Sequence, residues 1–219
     1  MVVESQDELD SLMILSALLG KVAAGNKDHI QLQKEISKIS GGISASNHFF
    51  YDKNEELKGK MTLSAKFLPE NTIDTTNLIF EIFNKTNFDL HERIKELMFQ
   101  NFMGFQQSIV ENGHRFAMLG ASSSHNQLSY LQESMGGLSA ISKFAPFVTN
   151  QDDLMKKEIE KVETMYKKLE SMKSELLFVS NEKLTKDQIN AIREIDFEKD
   201  GNSKVCLLYT SDAADERRR

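Results

Sequence analysis

Apolar residues at the start of the chain recur at helical spacing. Leu9, Leu12, Met13, Ala17 and Leu19 share one face with Ser16. The period predicts a helix that stops near Gly20 or Gly25. A second, short helix is predicted over 28–39, with Ile30, Ile36 and Ile39 apolar. Then the period changes. Ile43 and Ala45 alternate with Ser44 and Ser46. Met61, Leu63, Ala65 and Phe67 alternate with Thr62, Ser64 and Lys66. Strict alternation marks half-buried strands, because successive side chains point to opposite faces. The polar stretch 52–60 reads as the connection of an antiparallel pair.

Helical spacing returns afterwards. A helix is predicted over 72–83, with Ile73, Thr76 or Asn77, Phe80 and Phe83 on a common side. Leu90, Ile94, Leu97, Phe102 (or Met98), Phe105 and Ile109 predict a strongly amphipathic one. A small-residue helix is expected over 115–135, ended by Gly136-Gly137 in the left-handed conformation that glycine accepts. Another is expected from Asp152, with Asn150 as N-cap and Met155, Ile159, Val162, Tyr166 and Leu169 facing inward. Met172 and Leu176 extend that spacing. The run 176–180, LLFVS, reads as a strand. Thr185 with Gln188 is a capping-box signature for a last helix through Ile195. Strand pairs with clustered helices point to an α+β fold, with helices packed on one face of an antiparallel sheet.

Composition changes this picture little. The chain has 219 residues, 40% hydrophobic and 27% charged, with net charge −6. That suits one large globular domain or two small ones. Basic residues are interleaved with acidic ones and form no aromatic-flanked patch, so no nucleic-acid partner is expected. No apolar run approaches ~18 residues, so no membrane partner is expected either. The acidic start MVVESQDELD has neither signal-peptide nor transit-peptide character. The single cysteine, Cys206, permits no internal disulfide and no multi-cysteine metal site. The segment 205–219, VCLLYTSDAADERRR, breaks with the pattern before it. It is set apart as an artefactual or disordered tail; the alternative is a real strand at 204–209 followed by a polar tail.

Candidate chemistry is thin. His29, His48, His91, His114 and His125 are scattered, and none shows the HxxEH or HExxH spacing that sets two imidazoles around zinc beside a glutamate base. His91-Glu92 lacks a second histidine at the needed interval. Ser122–Ser124 with His125 supplies neither an orienting acid nor a G-x-S-x-G elbow. Gly41-Gly42 lacks the rest of a phosphate loop and reads as a helix-to-strand turn with positive φ. No catalytic, cofactor-binding or metal-binding residue is therefore assigned.

Several segments in order carry a resemblance: ISGGISAS at 39–46, AKFLPENT at 65–72, RIKELMFQNF at 93–102, NGHRFAM at 112–118 and LQESMGGLSAISKF at 131–144. Together they resemble the second half of the presequence-protease, falcilysin-like branch of the pitrilysin–insulysin zinc metallopeptidases. That resemblance covers about 8–204. It implies a partial third domain over 1–204, lacking its first strand and ending before the family's substrate-contacting Arg and Tyr. Members enclose unfolded peptides in a clamshell chamber, and zinc with HxxEH belongs to the first domain. The resemblance thus implies a non-catalytic fragment of a zinc metalloendopeptidase, inactive alone. Its expected partners are unfolded peptide and the missing catalytic half, with zinc only in the parent. The parent would reside in the mitochondrial matrix or another organelle. An exposed sheet edge would make the isolated chain poorly soluble. A second reading is a stand-alone, inactive α+β interaction or scaffold module. A third is an unrelated helical scaffold pairing through 155–176.

Overall fold

The computed structural model describes residues 5–149, 152–172, 174–180, 183–194 and 204–209. Its organising element is helix α1, Gln6–Leu18. The Ser5 hydroxyl caps it by accepting from the Glu8 N–H at 3.3 Å, and Asp7 and Glu8 complement the positive end of the dipole. Leu12, Leu15 and Leu18 are fully buried, and Ile14 and Ser11 are nearly so. The expected single apolar face is therefore too narrow. The helix is wrapped on several sides, so Ile14, Leu15 and Leu18 pack as well as Leu9 and Leu12. The chain turns at Gly20, φ 77°, and Gly25, φ 58°.

Helix α2, His29–Ile39, opens with a reciprocal capping box. The Asp28 carboxylate accepts from the Ile30 and Gln31 N–H groups at 2.8 Å each, and the Gln31 side chain accepts from the Asp28 N–H at 3.1 Å. Leu32, Ile36 and Ile39 are buried, but Ile30 is 54% exposed. Of the three apolar positions named for this helix, Ile36 and Ile39 face the core and Ile30 does not; Leu32 takes the inner place in the first turn.

Gly42, φ 118°, leads into strand β1, Ile43–Tyr51, which pairs antiparallel with β2, Leu57–Ala65, from Ile43↔Ala65 to Tyr51↔Leu57. The strands are longer and the connection shorter than the polarity suggested. Asp52 closes the loop, its carboxylate accepting from the Asn54 and Glu56 N–H groups at 2.9 and 3.0 Å. That lets 57–60, part of the stretch expected to be the connection, pair with 48–51 in the ladder. Ile43, Ala45, Met61 and Leu63 pack on the core. The Asn47 amide donates to the Leu12 carbonyl at 3.1 Å, tying the hairpin to α1.

Helix α3, Thr72–Lys85, buries Thr75, Thr76, Leu78 and Ile82. The predicted side is rotated: Ile73, Phe80 and Phe83 are half-buried and Asn77 is exposed. Threonines take the inner face because their hydroxyls find carbonyls. Thr76 donates to Thr72 at 2.6 Å and Thr75 to Ile39 at 3.4 Å. Helix α4, His91–Glu111, buries Ile94, Leu97 and Met98. Leu90 precedes the helix and is exposed, while Phe102, Phe105 and Ile109 are half-buried along its second half.

The expected helix over 115–135 is two helices, α5, Gly113–Ser122, and α6, Gln127–Gly136. Asn126 breaks it by capping α6, its side chain accepting from the Ser129 N–H at 2.9 Å. Gly137 is not left-handed; its φ is −97°. Its reason is space: a Cβ there would lie 2.7 Å from both the Glu133 carbonyl and Glu133 Oε1. A 3₁₀ stretch, Leu138–Phe144, leads through the short α7, Ala145–Val148, to α8, Asp152–Glu170. On α8, Met155, Ile159, Val162, Tyr166 and Leu169 are buried as the spacing predicts, along with Met165. Asn150, the expected cap, lies outside the described residues.

Strand β3, Glu175–Ser180, pairs in parallel with β4, Lys204–Tyr209. Between them lies α9, Lys186–Glu194, capped reciprocally by Thr185 and Gln188 as expected. Ile195 lies outside the described residues. The fold is α+β, but its strands form two separate ribbons, one antiparallel and one parallel. Residues 210–219 lie outside the described set.

Candidate functional site

The histidines are dispersed in space as in sequence. His29 begins α2 with Nδ1 buried and unpartnered. His48 lies on β1 with Nε2 2.9 Å from the Ser46 hydroxyl. His91 begins α4, His114 lies in α5 and His125 in the turn before α6. Among the described residues, no three His, Cys, Asp or Glu side chains converge in a metal-holding group. The serine cluster is locally engaged. Ser122 and Ser123 hydroxyls donate to the Leu119 and Gly120 carbonyls at 3.1 and 2.7 Å. Those bonds are turn chemistry, and the His125 N–H is likewise spent on the Ser122 carbonyl at 3.0 Å.

Two open clefts flank α2. One, of about 640 Å³, lies between α2 and α3. Lys27 crosses its floor to Glu81, with Glu35 at 3.5 Å, and the Glu81 contact raises the Lys27 pKa. Lys27, Glu35 and Glu81 thus satisfy one another. The other, of about 630 Å³, runs beside α4, where Arg93, Leu97 and Phe105 face Lys21 and Phe144. The sequence places Leu97 and Phe105 only as apolar positions of an amphipathic helix and assigns Arg93 no role, and only the fold sets them along one groove with Lys21.

Ion pairs clamp α1 to later segments. Lys143 Nζ lies 2.6 Å from the Asp10 carboxylate, and Lys168 pairs with Glu8. The other side of α4 leaves Phe99 and Met103 49% exposed and Val110 86% exposed. No helix among the described residues is long and apolar enough to cross a membrane.

The chain is similar to parts of much longer proteins. It is 28% identical over 144 residues to the mitochondrial presequence protease of Danio rerio, covering 64% of this chain and 14% of that protein. It is 29% identical over 135 residues to Protein HypA of Clostridium perfringens, covering 61% of this chain and 14% of that one. The Mus musculus mitochondrial presequence protease is 25% identical over 130 residues, 58% of this chain and 12% of its own length. The presequence-protease resemblance read from the segments at 39–144 is therefore upheld. The match to the family described as peptidase M-16C associated spans residues 4–146, from the start of α1 to the start of α7. The chain belongs to the peptidase M-16C associated family.

Proposed function

We propose that this chain forms part of the wall of a peptide-enclosing chamber in a zinc metalloendopeptidase that degrades short unfolded peptides. The observation that carries this reading is the family match over 4–146, which takes in α1 to the 3₁₀ stretch before α7. Those elements hold most of the buried core, so the matched region is a packed structural unit. The aligned stretch spans only 14% of the Danio rerio and Clostridium perfringens relatives, so the parent's chemistry belongs to a longer polypeptide. The described residues offer no ligand set that fits a zinc ion, and no hydrolytic step is assigned to them. Zinc and its activated water belong to the parent's other half. The exposed Phe99, Met103 and Val110 support contact with further parts of that parent, since clustered exposed apolar side chains mark interaction surfaces. Relatives named as mitochondrial support a mitochondrial-matrix setting for the proposed parent.

The test is hydrolysis of a quenched, unstructured peptide by the isolated chain with added zinc. No turnover above buffer is expected. Zinc-dependent cleavage abolished by a chelator would overturn the reading.

A further inference from the structure

We propose that the cleft beside α4 binds a short extended peptide by its free carboxylate. Arg93, Leu97, Gln100, Gly104 and Ser108 line it at steps of three or four residues, so they form one face of a single helix. From Arg93 to Ser108 that face runs about 22 Å at 1.5 Å per residue. An extended chain of about six residues covers the same length.

The two ends differ in chemistry. Arg93 and Lys21 stand in the lining, and no carboxylate among the described residues does. The Arg93 Nη1 donates to Glu96 at 2.7 Å, while its Nε is buried and has no partner. That Nε faces no solvent, so a ligand meets the outer guanidinium nitrogens, whose pair with the 56%-exposed Glu96 is a hydrated one that a second carboxylate can displace. Farther along, Phe105 and Phe144 lie with ring centroids 6.0 Å apart and offer an apolar seat for a side chain.

Gly104 is the independent mark. It lies inside α4, where glycine weakens the helix. A Cβ there would meet no atom within 4 Å, and its φ is not positive, so the fold itself has no need of glycine. A bare backbone in the groove lets a second chain approach closely. The site rests on the chamber-wall reading and gives that wall a point of attachment for a peptide end.

The experiment is fluorescence anisotropy with the full chain and an N-terminally labelled, unstructured short peptide with a C-terminal leucine, as free acid and as amide. The free acid is expected to bind about tenfold tighter, the value of one charge-assisted pair. Arg93→Gln and the exposed Lys21→Gln should each reduce that preference. Gly104→Leu should abolish binding of both peptides without lowering the thermal midpoint. Equal affinity of acid and amide, no binding of either, or an unchanged preference in both charge variants would overturn the proposal. Binding is read without hydrolysis, so its failure is separable from failure of the chamber-wall reading.

Discussion

The Tyr166 hydroxyl on α8 accepts a hydrogen bond from the backbone N–H of Thr86, just past α3, at 3.0 Å. The same ring packs edge-on against Phe88 at 5.5 Å. One side chain thus closes the end of α3 and fixes the following loop against α8. Tyr166→Phe keeps the ring contact and deletes the acceptor. The expected loss is ~1 kcal/mol, read as a lower urea midpoint with an unchanged m-value.

The same residue predicts a pH dependence. Burial, the largest cause, pushes the Tyr166 phenol from its ordinary value of 10.0 up to about 12. The folded state therefore holds its proton where the unfolded state has released it. The stabilising contribution is complete below pH ~10 and falls as pH rises toward ~12. Lysines titrate in the same range, so the informative quantity is the difference between the parent chain and Tyr166→Phe. The parent should lose more stability across that window; parallel curves would refute the assignment.

Neighbouring glycines should respond in opposite directions. Gly137→Ala places a methyl 2.7 Å from the Glu133 carbonyl and carboxylate. Glu133 is 9% exposed, and its carboxylate already accepts from the Ser139 N–H and hydroxyl at 3.1 and 2.5 Å. It cannot retreat without breaking those bonds, so a loss of ~1–3 kcal/mol is expected. At Gly136 the nearest atom to a Cβ is an Arg115 nitrogen at 4.0 Å, and the residue is helical. Gly136→Ala should gain ~0.5–1 kcal/mol. Thermal melts of the two variants decide both signs.

Asp10 and Lys143 join α1 to the 3₁₀ stretch, with side chains 19% and 16% exposed. Such a pair is shielded more than a surface one, yet still hydrated. A double-mutant cycle with Asp10→Asn and Lys143→Met should return a coupling of ~0.5–1 kcal/mol, smaller at high salt.

Much of this architecture is written in local chemistry. The alternation at 43–46 and 61–65, the Thr185–Gln188 box and the inward row from Met155 to Leu169 each need only neighbours a few residues away. What the pattern hid depends on distant partners. Thr75 is buried because the Ile39 carbonyl awaits its hydroxyl, which no hydropathy scale registers. Ser123 to Asn126 interrupts a helix through a cap whose strength exceeds the small-residue run around it. The parallel pairing of β3 with β4 joins segments separated by α9. The family was legible in short segments such as LQESMGGL, whereas the cleft holding Arg93 and Lys21 was not, because α1's exit and α4 meet only in the fold.

The chamber-wall account is tested most directly by exchange. Residues 5–149 would replace the aligned segment of the Danio rerio presequence protease, with zinc content and thermal melting confirming a folded, loaded chimera. The account predicts that it hydrolyses a short unfolded peptide and spares the same sequence held within a folded domain. A folded, zinc-loaded chimera that cleaves neither substrate, or cleaves both alike, would contradict it.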